Sequence, residues 1–290
     1  MTLPRFELHR PGSLSEAIDI LTSSPGAVPI AGGTALLVDM RGRRISPPVL
    51  VDIGRIDDLS GIRVDGEKVV IGAATTIAEI KKSGLVAEHA PLLRAACDTF
   101  ASPAVRNRAT IGGNLAYASP AADTAPPLLA LDAVLEIASP DGARRIPIDR
   151  FFRGVRKTDL RKGELLTAIR FPIPSDGTSF AFRKLGLRRA DAISVVSAAV
   201  SIGGSNSGER RVRIALGAVA PTPIRSDEAE RILAAGPITP ASIAAAADAA
   251  AAEARPVSDV RGSAWYRREA VAALVRRLVE GLSEGGKSDG

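Results

Sequence analysis

The chain has 290 residues, 46% hydrophobic and 24% charged, a balance that excludes global disorder and is enough for two or three units with cores of their own. Aromatic residues make up only 3%, so those cores must be built from Leu, Ile, Val and Ala. The net charge is +6, yet the basic residues come in short clusters such as Arg41/Arg43/Arg44 and Arg153/Arg156/Lys157, without a nucleic-acid helix motif or stacking aromatics. That pattern reads as a solvated basic surface; the sharper reading has some clusters meeting a dinucleotide's phosphates or acidic patches on a partner.

Residues 1–11 carry charges and prolines where a secretory signal needs an apolar run. Leu14–Leu21 has apolar residues at helical spacing behind Ser13, a suitable N-cap. Val28–Ile30 predicts a strand, Ala35–Met40 a short helix and Val49–Ile53 a second strand, so the chain opens as a β-α-β-like unit with a glycine turn at its centre. Val64–Ile71 is a hairpin around Asp65-Gly66, and Thr76–Ser83 and Pro91–Cys97 predict helices. An irregular polar stretch, Ala101–Ala109, leads into Thr110-Ile111-Gly112-Gly113-Asn114. Leu128–Ala130 begins a packed helical turn, Ala133–Ala138 and Arg145–Ile148 are strands about Asp141-Gly142, and Glu164–Phe171 is a further strand. Pro172–Gly177 has the composition of a linker. Beyond it, Ser179–Leu185, Ser194–Ile202 and Arg211–Val219 predict strands, with Gly203–Gly208 as a flexible hairpin tip, and Pro240–Glu253 and Ala264–Leu282 predict the closing helices. The expected organisation is a first lobe at 1–56, a second at 57–176, a C-terminal domain at 177–283 and a disordered tail at 284–290. The longest uncharged apolar run, Ala192–Ile202, falls short of the ~18 residues a membrane helix needs and fits a core strand.

With one Cys and two His, the chain cannot supply a Cys-rich zinc site or its own iron–sulfur cluster. A Ser-His-Asp relay would need His9 or His89, and neither lies near a nucleophile-elbow sequence. Chemistry done here is therefore expected to belong to a bound cofactor. Cys97, on an apolar helix, reads as a buried thiol and suits a reducing cytoplasm. The main signal is a pair of glycine segments, Gly32-Gly33-Thr34 and Gly112-Gly113-Asn114. Without Cβ atoms such pairs let backbone N–H groups crowd an anion, and two of them on different segments suit the two phosphates of a dinucleotide. The Rossmann fingerprint G-x-G-x-x-G is absent.

Together these segments resemble the FAD-binding medium subunit of the molybdenum hydroxylases, the family of carbon monoxide dehydrogenase, nicotinate dehydrogenase and bacterial xanthine dehydrogenase. The resemblance is carried by Ala31–Leu37, Arg108–Asp132, Lys162–Pro172 and Phe182–Ile193 and runs from about residue 3 to 282. It implies an α+β fold, with a two-lobed, PCMH-like FAD-binding domain followed by a C-terminal α/β domain that has a small antiparallel sheet and helices. Ala31, Gly32, Gly33, Thr34, Ala35 and Leu36, with Thr110, Ile111, Gly112, Gly113 and Asn114, would cradle the FAD pyrophosphate. Asp123 would hydrogen-bond sugar hydroxyls, Leu165 would lie against the adenine or flavin through backbone and side chain, and Lys184 would reach the flavin ring. Read alone, Asp123 is a helix N-cap and Lys184 an exposed strand lysine. Some relatives cover the flavin with an aromatic where this chain has Ala192 and Ile193, so aliphatic Ile193 would take that place; Tyr117 is either a cofactor contact or ordinary packing. No His or Cys occurs in or beside the two glycine segments, which implies non-covalent FAD. The molybdenum cofactor and [2Fe-2S] clusters would sit in a large and a small partner subunit, with electrons passing from the clusters through this chain to NAD or another acceptor. The alternatives are a nucleotide-binding protein without redox work and a basic RNA-associated module. On this reading Gly112→Val and Asp123→Ala lose FAD while the fold survives.

Overall fold

The computed structural model describes residues 2–188, 191–204 and 210–285. The first lobe is a parallel three-stranded sheet of β1 (Glu7–His9), β2 (Ala27–Ile30) and β3 (Val49–Asp52) in the order β1-β3-β2. Two helices accompany it, α1 (Leu14–Ser23) and α2 (Leu36–Arg41). The Ser13 hydroxyl accepts the Glu16 amide at 3.2 Å and so starts α1, whose Ala17, Ile18 and Leu21 pack on Val51 and Ile53 of the sheet side. This core does not end at the lobe boundary: it also takes in Ala74 and Leu165 from the second lobe.

The second lobe is built on an antiparallel sheet of β4 (Ile62–Asp65), β5 (Lys68–Gly72), β6 (Val134–Ser139), β7 (Gly142–Pro147) and β10 (Leu165–Pro172), ordered β4-β5-β10-β6-β7. Between β7 and β10, the small strands β8 (Phe152–Gly154) and β9 (Lys157–Thr158) pair as a hairpin. Six short helices cover the sheet: α3 (Ile77–Lys82), α4 (Gly84–His89), α5 (Pro91–Thr99), α6 (Pro103–Arg106), α7 (Ile111–Ala116) and α8 (Ala125–Ala130). Their starts are set chemically, by the Thr76/Glu79 capping box for α3, by Pro91 in the first turn of α5 and by Thr110 for α7.

The C-terminal domain is an antiparallel sheet of β11 (Ser179–Gly186), β12 (Ser194–Gly204), β13 (Arg210–Gly217) and β14 (Ile224–Arg225), in that order, with α9 (Asp227–Ala234), α10 (Pro240–Glu253) and α11 (Ala264–Gly285). Both faces of β12 are buried, which explains its nearly continuous apolar run. Val196, Ala198 and Val200 face a core shared with α10 and α11, while Ala199 joins Ala215 and the Leu128 and Leu129 side chains of α8 in the core of the second lobe. The residues turned toward α8 are small, Ser197, Ala199 and Ser201, and the Ser201 hydroxyl donates to the Ala130 carbonyl at 3.1 Å.

The structure differs from the sequence reading in several places, among them the strands β1, β8, β9 and β14, which that reading does not contain. Gly112 and Gly113 do not form an open loop but lie in the first turn of α7. Helices α4, α6 and α9 occupy stretches read as connections. Helix α11 continues to Gly285, into the expected tail, and residues 286–290 lie outside the described residues. The hairpin tip at Gly203–Gly208 begins as the end of β12, and its residues 205–209 are likewise outside them. No helix among the described residues is long and apolar enough to cross a membrane.

Candidate functional site

The first glycine segment, Ala31–Leu36, carries the chain from β2 into α2. Gly33 has φ of +72°, a left-handed conformation that glycine adopts without strain. A Cβ built on Gly32 would overlap the Arg108 carbonyl, so this turn presses directly on the backbone that precedes Thr110. The amides of Gly32, Gly33, Thr34, Ala35 and Leu36 donate to no protein acceptor among the described residues, and all five residues are half-exposed. Consecutive unpaired amides in such a turn form a concave anion site, because an unmet backbone donor costs stability unless water or a ligand accepts from it.

The second segment works differently from the first. The Ile111 amide donates to the Thr75 carbonyl at 3.0 Å and the Gly112 amide to the Ala73 carbonyl at 2.8 Å. Thr110 caps the helix, its hydroxyl oxygen accepting the Gly113 amide at 3.1 Å, and the Asn114 amide donates to the Thr110 carbonyl at 3.0 Å. The amides of Ile111, Gly112, Gly113 and Asn114 are therefore spent, which corrects the expectation of two matching amide cradles. What this segment offers is close packing and side chains. A Cβ on Gly112 would lie 2.6 Å from the Ala73 methyl, whereas the face of Gly113 is open except for the Thr110 hydroxyl at 2.8 Å. Asn114 spends its side-chain oxygen on the Thr124 hydroxyl at 2.7 Å, and its Nδ2 has no protein acceptor among the described residues.

Asp123 and Lys184, both expected at the site, meet in one buried pair. The Lys184 ammonium, on β11, donates to Asp123 Oδ2 at 2.6 Å and to the Thr99 carbonyl at 3.2 Å, and the Ser194 hydroxyl donates to Asp123 Oδ1 at 2.6 Å. The two charged side chains are 5% and 9% exposed, so Asp123 is not a helix cap and Lys184 is not a surface lysine. Burial pushes the Asp123 carboxyl above its usual range, against the opposing pull of Lys184 and Ser194. The pair joins the second lobe to the start of the C-terminal sheet, where Ile193 stands 65% exposed one residue before Ser194. Leu165 is placed otherwise: its side chain is buried among Ile18, Leu21 and Ala74, so only its backbone is left to face a ligand.

Residues 4–174 match the family described as the FAD binding domain in molybdopterin dehydrogenase, and residues 180–282 match the CO dehydrogenase flavoprotein C-terminal domain. The chain belongs to this FAD-binding family. It is 38% identical over 280 residues to the carbon monoxide dehydrogenase medium chain of Hydrogenophaga pseudoflava, covering 96% of this chain and 97% of that one. It is 34% identical to the xanthine dehydrogenase FAD-binding subunit of Escherichia coli O157:H7, covering 93% of this chain and 94% of the relative. Among solved structures, carbon monoxide dehydrogenase from Hydrogenophaga pseudoflava superposes with a TM-score of 0.92 at 39% identity, over 97% of this chain and 98% of that one. Quinoline 2-oxidoreductase from Pseudomonas putida 86 gives 0.91 at 32% identity, over 98% and 99%. The flavoprotein is thus the FAD subunit of a molybdenum hydroxylase, with the two-lobed domain and C-terminal domain of that family.

FAD suits the residues present in this flavoprotein. Five amides without a protein acceptor among the described residues suit the oxygens of a diphosphate, and the open face of Gly113 leaves room on the second segment. Cys97 takes no part: it is fully buried, and its thiol is pushed up to about 12 by burial first and then by the negative charges of Asp98 and Asp123.

One residue of the flavoprotein was missed in the sequence. Asp39 on α2 is only 3% exposed and accepts three hydrogen bonds, from Arg44 Nη1 at 2.7 Å and from Tyr117 Oη and Arg156 Nη1 at 3.0 Å each. The available signal was a single carboxylate within the otherwise apolar run Leu36-Leu37-Val38-Asp39-Met40. Tyr117 is thereby assigned to packing between the lobes, with the Arg156 guanidinium 4.7 Å from its ring centre.

Proposed function

We propose that this chain holds FAD where its two glycine segments meet and carries electrons between the [2Fe-2S] clusters of a small partner subunit and NAD or another acceptor, the substrate being oxidised at the molybdenum cofactor of a large subunit. Bound FAD supplies the ability to take up electrons singly and release them in pairs. The chain's own residues bind and orient it. The free amides of Gly32, Gly33, Thr34, Ala35 and Leu36 donate to the diphosphate, with Ala31 leading the turn in from β2. Thr110 uses its hydroxyl oxygen as an acceptor, so its hydroxyl hydrogen is free for a phosphate oxygen. Ile111 and Gly112 fix the helix against Ala73 and Thr75, and Gly113 and Asn114 present the open face beside it.

Lys184 spends two of its three N–H bonds on Asp123 and the Thr99 carbonyl, which leaves one for the cofactor. A positive charge fixed there favours negative charge on the reduced ring. Asp123 holds that ammonium in place and keeps unused lone pairs for sugar hydroxyls. Ile193 covers the ring with aliphatic surface and keeps water from it, and Leu165 contributes through its backbone.

The observation that carries this reading is the contact of Gly32 with the Arg108 carbonyl, which brings segments more than seventy residues apart in sequence to one place. The test is purification of the chain with its co-expressed neighbours, followed by flavin, molybdenum and iron analysis. A flavin band at one FAD per chain supports the reading; a colourless chain that refuses added FAD, or retains only an adenine nucleotide, overturns it. Bleaching of that band by NADH without oxygen assigns NAD as acceptor, and an unchanged band rules NAD out.

A further inference from the structure

Two helices leave the two glycine segments. Helix α2 begins at Leu36, directly after the first, and α7 contains the second and ends at Ala116. A part-buried contact joins them: Tyr117, the residue that closes α7, donates its hydroxyl to Asp39 in the middle of α2. Asp39 is tied again from the second lobe by Arg156, in the turn between β8 and β9, whose own amide donates to the Ala118 carbonyl at 2.9 Å. Arg44, just beyond α2, occupies the other carboxylate oxygen. Thus one carboxylate receives donors from both lobes, and the Tyr117 ring lies beneath one of them.

The lobes also share apolar packing, since the first lobe's core takes in Ala74 and Leu165 of the second; the Asp39 contact is a polar tie beside it, between α2 and the end of α7. It adds a second tie between α2 and α7, beside the contact of Gly32 with the Arg108 carbonyl, and so bears on the spacing between the turn that presents free amides and the helix that presents Thr110, Gly113 and Asn114. A carboxylate held by three donors, two of them cationic, has little freedom to shift, since bonds between ions are shorter and stronger than neutral ones. Burial alone would raise the Asp39 pKa, yet the hydrogen bonds from Arg44 and Tyr117 and the charge of Arg156 hold the carboxyl below its usual range, so it stays ionised at neutral pH.

We propose that Asp39, with Tyr117 and Arg156, is a clasp that fixes the gap between the two glycine segments and so sets the affinity for the diphosphate of FAD. This rests on the assignment of those segments to the cofactor. Asp39 and Tyr117 are positioning residues: they act on the diphosphate only through the helices they join.

The test compares the full chain with Asp39→Asn and Tyr117→Phe, each freed of flavin, titrated with FAD, ADP and AMP. Tyr117→Phe keeps the ring under Arg156 and removes only the hydroxyl; Asp39→Asn keeps the shape and removes the charge. Each variant should bind FAD and ADP roughly tenfold more weakly, equivalent to about 1.4 kcal/mol, while AMP, which lacks the diphosphate, changes by less than about twofold. A general loosening of the fold would weaken all three ligands together and would overturn the proposal, as would FAD and ADP affinities equal to those of the parent chain. Failure of the parent chain itself to bind FAD would instead refute the cofactor assignment, so the two outcomes are distinct.

Discussion

Replacing Asp123 by Ala should cost about 3–5 kcal/mol of stability, because it strands a buried cation. The Lys184 ammonium is 5% exposed and has the Asp123 carboxylate at 2.6 Å; without it, only the Thr99 carbonyl at 3.2 Å remains. The reverse change, Lys184→Met, should cost less at acidic pH, since a stranded carboxylate can take up a proton. Asp123 already has its pKa raised by burial, with Lys184 among the groups opposing the rise, so removing Lys184 raises it further. A carboxyl whose folded pKa lies above its unfolded value favours the fold below the unfolded value and loses that contribution as pH rises through the folded one. Relative to the parent, Lys184→Met should therefore be more stable near ~pH 5 than near ~pH 8. The double change Asp123→Leu with Lys184→Met removes both charges and should return to within about 2 kcal/mol of the parent, the buried Ser194 hydroxyl and the Thr99 carbonyl being the groups that lose a partner. Urea unfolding of the flavin-free chain at both pH values reads all three. The reasoning fails if Asp123→Ala costs less than about 1 kcal/mol, the value of an exposed pair, or if the double change costs the sum of the two single ones.

Gly32→Val must displace the Arg108 carbonyl, so it should weaken FAD binding well beyond tenfold; Gly281→Ala, at an open position on α11, should instead leave binding unchanged and add about 0.5–1 kcal/mol of stability. Equal FAD titrations for Gly32→Val and the parent would reject the geometry of the first segment. Ala199→Leu inserts three carbons where β12 meets α8 and should destabilise by about 1–3 kcal/mol, seen as a lowered Tm; an unchanged Tm would show that this contact is loose. Cys97, with its pKa pushed up to about 12, should resist a thiol reagent at ~pH 8 in the native chain and react fully once unfolded, the thiolate being the reactive form.

Periodicity and turn chemistry made most strands legible: Asp65-Gly66 and Asp141-Gly142 mark their hairpins, and the run Ser194–Ile202 is the doubly buried β12. Helix α9 escaped because its eight residues, Asp227–Ala234, give a helical period only about two turns in which to show, although Ala229 and Leu233 are buried on one side. Helix α7 escaped for a different reason: two glycines oppose helix formation, and what overrides them is the Thr110 cap and the packing of Gly112 on Ala73. The same contact alters an expected outcome. Gly112→Val meets Ala73, and Asp123→Ala strands Lys184, so neither is a clean probe of cofactor loss with the fold intact. Site residues were legible where a motif lies in one stretch of chain. Asp39 pairs across 78 and 117 residues and Lys184 across 61, separations that no local pattern encodes.

The small residues of β12 that admit α8 have a consequence for how the molecule comes apart. Ala199 and Ala215 belong to the same packed cluster as Leu128 and Leu129, so the C-terminal sheet supplies one wall of its neighbour's interior. Cutting the chain in the Pro172–Gly177 stretch would expose that wall as a bare apolar strip, and the shortened product should precipitate rather than persist as a free module. In the intact chain the two regions should melt in one cooperative step, with a single calorimetric peak.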